Sequence, residues 1–216
     1  SGTVSAEPQK KFEAPRQDLR EASNLYNKLM ARLSPMLYKG IEDVLQRWKK
    51  TLKSGGDLNL VVVAPINGFY RVVGATFPAD APMRQNNSKL GEGLRGFFTE
   101  RRVAGYARAA VWVQPTEDKR PVFDRTGQVI GEVPSYSPML SPPSDTKWRY
   151  YRPIFEKSAA NPWSDRVVGL INVHSTADDG ERLFKTAEFQ QQVDSITTEV
   201  SPYLDVIQVL VGEEKL

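Results

Sequence analysis

The chain has 216 residues, 40% hydrophobic and 25% charged, enough for one domain with a good core or one domain plus long helices. Its net charge of +3 gives no global push toward nucleic acid or an anionic surface, so no nucleic-acid partner is expected. The absence of cysteine excludes disulfides, thiolate catalysis and thiolate metal sites, and fits a reducing, cytoplasmic setting.

No apolar run approaches the roughly 20 residues that a membrane helix needs, and there is no signal-peptide pattern. The chain begins Ser1-Gly2-Thr3 rather than with Met. It reads as a piece cut from a longer protein with a short cloning scar, which leaves room for a membrane anchor or output domain outside it. Residues 1–14 are polar, without a hydrophobic period, and are expected to be disordered.

A helix is expected from Pro15. Leu19, Ala22, Tyr26, Leu29 and Leu33 step by three and four, a seam of heptad type. Ser34-Pro35 looks like an N-cap followed by proline at the first helical position. Beyond it Leu37, Ile41, Val44, Trp48 and Leu52 continue in a shifted phase. Two helices, or one kinked helix, ending at Ser54-Gly55-Gly56 are predicted. Residues 15–34 then form a linker or dimerisation helix, and 35–216 the main domain.

Leu58–Ala64, rich in valine, reads as a buried strand. A turn at Pro65-Ile66-Asn67-Gly68 returns the chain through Phe69–Thr76 as a hairpin. Residues 77–89 read as loop. Gly91-Glu92-Gly93-Leu94-Arg95-Gly96 is a tight glycine turn that starts a helix from about Leu94 to Val103. The literal spacing is G-x-G-x-x-G, but no buried strand leads directly into it. The acidic residue expected about 20 positions later falls in the charged loop around Glu117 and Asp118, so a dinucleotide site is not supported.

Arg108–Val113 is a predicted third strand. Residues 122–124 and 128–130 flank a turn at Arg125-Thr126-Gly127, and the proline-rich stretch 134–145 reads as a lid or binding loop. Lys147–Phe155, ending at Pro153, and Val167–Ser175 are two more strands, joined by a turn at 161–165. The last helix begins near Thr186, with a seam of Phe189, Val193, Ile196, Val200, Tyr203, Ile207 and Leu210, and Pro202 is expected to kink it.

The fold class read from this order is α+β with an antiparallel sheet. Four local features resemble the GAF domain family. The turn at residues 91–96 is similar to that family's GEGLxG turn, and Arg152-Pro153-Ile154 to its strand ending in proline and an apolar residue. Residues 168–175 are similar to its last central strand, and Phe184–Phe189 to the opening of its closing helix. The likeness covers roughly Pro35 to Leu210. It implies a central sheet with the N- and C-terminal helices packed on one face and a ligand pocket on the other. It also implies parallel homodimers joined through those helices. Burying an apolar seam in such a dimer would contribute about 0.8 kcal/mol per CH₂; packing within the monomer is the competing role.

The chain departs from functional subtypes of that family. There is no NKxFxxxDE pattern of the cyclic-nucleotide binders, and no cysteine for a linked bilin or for cysteine-based methionine sulfoxide reduction. His174 alone could ligate haem or iron, and a lone histidine on a strand reads first as a packed or surface residue. No cofactor and no metal site are implied.

Two candidate site groups emerge. From Arg84 to Arg108 stand Arg84, Lys89, Arg95, Arg101, Arg102 and Arg108 against Glu92 and Glu100, a local balance of +4. Arginine forks near a helix N-terminus suit a small anionic ligand, and Arg95, Arg101 and Arg102 are the candidates. A solvated helix face is the alternative. On the strand at 147–153, Trp148, Tyr150 and Arg152 share one side, and Arg149 and Tyr151 the other. The first set, with Trp112 and Tyr136, could line an aromatic pocket; core packing is the alternative.

The function expected is a regulatory module that binds a small anionic ligand and signals through dimerising helices. The alternative is a ligand-free dimerisation or protein-interaction domain. An enzyme is not expected, because a single histidine and no metal cluster leave no obvious catalytic set.

Overall fold

The computed structural model describes residues 7–52, 58–81, 84, 87–109, 119–134, 145–156 and 165–211. The chain divides into two compact units, Ser1–Leu37 and Tyr38–Leu216. The first holds the N-terminal part of helix α1 (Glu7–Thr51). That helix starts earlier than the sequence suggested, so residues 7–14 are helical, and it continues through Pro35. One lost hydrogen bond and a steric clash cost about 3 kcal/mol, which the residues on either side of Pro35 outweigh. The side chains of Leu19, Ala22, Tyr26 and Leu29, most of the expected seam, lie outside the described residues.

The second unit is built on one eight-stranded sheet of order β3-β2-β1-β8-β7-β4-β5-β6. The strands are β1 (Leu58–Ile66), β2 (Phe69–Ala75), β3 (Ser88–Lys89), β4 (Gly105–Arg108), β5 (Lys119–Asp124), β6 (Val129–Pro134), β7 (Trp148–Phe155) and β8 (Val167–Ser175). Every recorded pairing is antiparallel. β1 and β8 read as continuous apolar runs because they are central and covered on both faces; all nine residues of β8 are buried. Asn67 and Gly68, both at positive φ, form the two-residue turn from β1 to β2, the backbone sign a tight hairpin requires. β4 begins at Gly105, earlier than expected, and residues 110–113 lie outside the described set. So do 135–144 of the expected lid and 161–164 of the expected turn. β7 runs on through Pro153 to Phe155.

One face of the sheet carries the second part of α1 and helix α4 (Ala187–Val211), with the short helix α3 (Gly180–Phe184), which the sequence did not suggest. A Cβ on Gly74 would come within 2.5 Å of Ile41, and one on Gly169 within 2.6 Å of Leu204, so glycine lets both helices approach the strands. Trp48 Nε1 donates to Glu199 Oε1 at 2.9 Å, which ties α1 to α4.

The row that α4 buries is Phe189, Val193, Ile196, Val200, Leu204 and Ile207. Leu204 replaces the expected Tyr203, because the helix follows a 3.6-residue period over a flat sheet rather than a heptad seam. This row belongs to the monomer's own core, so a dimer cannot use it.

The other face is covered by α2 (Gly93–Arg101). Its glycine turn is a packing device: a Cβ on Gly96 would stand 2.2 Å from the Gly91 carbonyl carbon, and Gly91 sits at φ 78°. Phe98 of α2 stacks on Tyr151 of β7 with centroids 4.9 Å apart.

Candidate functional site

Strand alternation divides the predicted site residues between the two faces. Trp148, Tyr150 and Arg152 point to the α3/α4 face. Trp148 Nε1 donates to the Asp178 carbonyl at 2.8 Å. Tyr150 packs against Phe184 and Phe189, with centroids 5.5 and 5.1 Å away, and burial pushes its phenol up to about 12. Arg152 pairs with Asp194 of α4 at 2.8 Å. These three are core and tether. They do not meet the arginines of α2, and Trp112 and Tyr136 lie outside the described residues.

The α2 arginines also separate. Arg101 donates to the Ile130 carbonyl at 3.0 Å and lies over the Phe97 ring. Arg102, the left-handed C-cap of α2, pairs with Asp165 at 3.3 Å. Arg84 is a structural clamp, paired with Glu42 and donating to the carbonyls of Ala75, Phe77 and Pro78. Only Arg95 turns inward. It is 8% exposed and donates to Ser88 Oγ at 3.1 Å.

The residues that share Arg95's surroundings are ones the sequence reading passed over. Burial lowers the Arg95 guanidinium to about 10, with Arg149 acting in the same direction and Tyr151 and Tyr70 opposing. It remains charged near neutral pH. Burial, reinforced by Arg149, also lowers Arg120 of β5, while Tyr151 opposes.

On β8 the register sets His174 opposite Arg149 and Asn172 opposite Tyr151. Both β8 residues are 2% exposed. Burial holds the His174 imidazole well below its ordinary range, and Arg149 and Arg95 add to the shift. His174 is therefore neutral at pH 7, and its ring meets Phe77 edge-on at 5.3 Å.

The Nε atoms of Arg120 and Arg149, Asn172 Oδ1 and both ring nitrogens of His174 are buried and have no hydrogen-bond partner among the described residues. An unsatisfied buried polar group costs about 1–3 kcal/mol, and native proteins rarely carry several together. The charged and phenolic groups that shift Arg120 and His174 are Tyr151, Arg149 and Arg95, none of them a carboxylate. The patch is a concentration of cationic forks with one imidazole N–H, beside the Asn172 amide oxygen, around a stacked aromatic ring. Its chemistry suits an anion.

The signal for it was present in the sequence. Asn172 and His174 are polar residues at i and i+2 near the end of a buried strand that is apolar from Val167 to Ile171. Arg120 carried no pattern that distinguished it. Among the described residues, no group of three or more His, Cys, Asp or Glu could hold a metal ion, and no helix is long and apolar enough to cross a membrane.

No family model and no curated protein matches the sequence. Solved structures are similar to it. The GAF domain region of a Geobacter sulfurreducens PCA protein is 15% identical with a TM-score of 0.52, covering 83% of this chain and 99% of that one. The GAF domain of an Acinetobacter phosphoenolpyruvate-protein phosphotransferase is 10% identical, with a TM-score of 0.49, and covers 81% and 85%. A type II free methionine-R-sulfoxide reductase from Thermoplasma acidophilum is 14% identical, with a TM-score of 0.47, and covers 79% and 95%. The last corrects the expectation that this is not an enzyme: proteins of similar structure include enzymes, and a missing triad or metal cluster was too narrow a test. The likeness assigns no activity to this chain. Together with the eight-stranded antiparallel sheet and the helices on its faces, the likeness to the Geobacter sulfurreducens GAF domain region shows that the chain has a GAF-like fold.

Proposed function

We propose that this is a sensory or regulatory module whose ligand is small and anionic, seated on the α2 face of the sheet against Arg95, Arg120 and Arg149. The observation that carries the reading is the buried set of Arg120 Nε, Arg149 Nε and the His174 imidazole, unsatisfied among the described residues, on a patch rich in guanidinium. The bound anion would accept from the guanidinium forks and from the one N–H of neutral His174, while the Tyr151–Phe98 stack gives a wall for an apolar or planar portion.

Arg95 sits on α2 and Arg149 on β7, so one ligand would bridge helix and sheet. A ligand that draws α2 toward β7 and β8 prefers one state of the domain over another, which is what coupling to an output requires. Transmission through dimerised terminal helices is part of this reading. On α4 it would use exposed residues such as Val206 and Val209 rather than the buried row.

The test is thermal unfolding with inorganic phosphate, nucleotides and di- and tricarboxylates. A ligand at 100 times its Kd stabilises the native state by about 2.7 kcal/mol. Stabilisation by at least one anion, lost in Arg149→Gln and retained in Arg101→Gln, is expected. Stabilisation by none, or equal stabilisation in both variants, overturns the reading. Light scattering checks the dimer: a chain that stays monomeric on concentration removes the helix-to-helix output.

A further inference from the structure

The α2 face of the sheet makes an opposite demand beside its cationic forks. Both ring nitrogens of His174 are buried and have no partner among the described residues. A neutral imidazole presents one N–H and one bare lone pair, whichever nitrogen holds the proton. Asn172 Oδ1, two residues earlier on β8, is a further buried acceptor without a partner among the described residues. Both side chains are 2% exposed, so bulk water does not answer them. Alternate residues of a strand share a face, and the register sets Arg149 across from His174 and Tyr151 across from Asn172. The unanswered acceptors therefore lie beside the unanswered Nε of Arg149.

An anion that only accepts hydrogen bonds would answer the guanidinium groups and the imidazole N–H. It would leave Asn172 Oδ1 and the bare nitrogen of His174 facing its own lone pairs. An unanswered buried acceptor keeps its desolvation cost. An ammonium group is the wrong source of the missing donor. The charged and phenolic groups that act on Arg95, Arg120 and His174 are arginines and the phenols of Tyr70 and Tyr151, with no carboxylate among them. A cation would meet like charge there, whereas a neutral O–H would not. The rings of Phe98 and Tyr151, with Phe77 edge-on to His174, favour a carbon skeleton over a bare oxyanion.

From these buried acceptors we infer that the ligand is a hydroxycarboxylate: the guanidinium groups receive its carboxylate, and its hydroxyl donates to Asn172 Oδ1 or to the bare nitrogen of His174. This rests on the anion reading of the same face and narrows it from any small anion to one that carries its own neutral donor. A site built to bond a hydroxyl rejects the analogue that lacks it, because its own polar groups are then left unpaired.

The test is calorimetric titration of the whole chain with lactate against pyruvate and propionate, with malate against succinate, and with inorganic phosphate. At least one hydroxy acid should bind at least tenfold more tightly than its oxo and deoxy partners. In Asn172→Leu or in His174→Phe, whichever removes the acceptor that the hydroxyl uses, that acid should fall to the level of its deoxy partner. Arg101→Gln should keep the preference. Equal binding of hydroxy, oxo and deoxy acids, or binding of phosphate alone, overturns this inference and leaves the anion reading in place. A preference kept in both acceptor variants overturns it as well. Binding of no anion at millimolar concentration removes both. The comparison of acids on the unmodified chain needs no variant, so it decides even where a substitution prevents folding.

Discussion

The two faces of β7 treat their polar groups in opposite ways. On the α3/α4 side the Trp148 indole donates to a carbonyl, and Arg152 pairs with Asp194. On the α2 side Arg149 Nε, with its cross-strand neighbour His174, is buried without a partner among the described residues. Both faces are aromatic and both carry an arginine, so composition does not separate them. What separates them is whether the folded chain itself answers the buried polar atoms. Answered groups hold the domain together, and unanswered ones cost stability that a ligand can return.

The largest effect belongs to the satisfied face. Phe189 is 1% exposed and meets both Tyr150 and Phe184 at 5.1 Å. Phe189→Ala should cost about 3–5 kcal/mol in urea unfolding, with the anion-induced shift intact in whatever folded protein remains. Loss of the anion response at unchanged stability would mean that this face also belongs to the site.

His174 sharpens the comparison through pH. Its folded pKa is depressed by burial and by Arg149 and Arg95, so the unfolded chain takes up the proton first as pH falls. Stability contributed by the neutral imidazole is present above the unfolded value of about 6.5 and declines as pH drops below it. The slope from this one group approaches about 1.4 kcal/mol per pH unit. His174→Gln should flatten the stability profile between about pH 6.5 and 5. An unchanged profile would place the titration elsewhere.

Arg149 should show a trade between stability and binding. Arg149→Met removes a half-buried charge with an unanswered Nε and keeps the aliphatic stem, so the ligand-free protein should gain up to about 1 kcal/mol while the anion-induced shift disappears. A destabilised Arg149→Met protein would show that the guanidinium is structural and that the two faces are alike.

Much of the architecture was legible because it rests on local chemistry. The valine run of β1, the Asn67-Gly68 turn and the apolar rows of α4 and the second half of α1 each state their role in a few residues. β4 was misplaced because its first residue is Gly105, which reads as a break. Glycine is required there: a Cβ would stand 2.1 Å from the Phe123 carbonyl oxygen and 2.8 Å from the Phe98 ring. Strand alternation correctly paired Trp148 with Tyr150 and Arg152, and Arg149 with Tyr151. It could not say which face the helices α3 and α4 would cover. That depends on long-range pairing with β8 and on the side to which the chain turns after Ser175. The candidate site was therefore assembled from one face's arginine and the other face's aromatics.

The smallest effect closes the comparison from the other side. Arg152 and Asp194 are 27% and 49% exposed, so solvent screens their attraction, and a partly exposed pair contributes about 0–1 kcal/mol. Arg152→Gln keeps a hydrogen-bond donor and most of the stem, so its cost in urea unfolding should lie within that range. It should leave the response to anions unchanged, since the side chain points away from α2. The same exchange at Arg149 is expected to abolish that response. One chemical change at two positions three residues apart on β7 thus isolates the face as the only variable. Equal loss of the anion response in both variants would refute the division into a structural and a binding side.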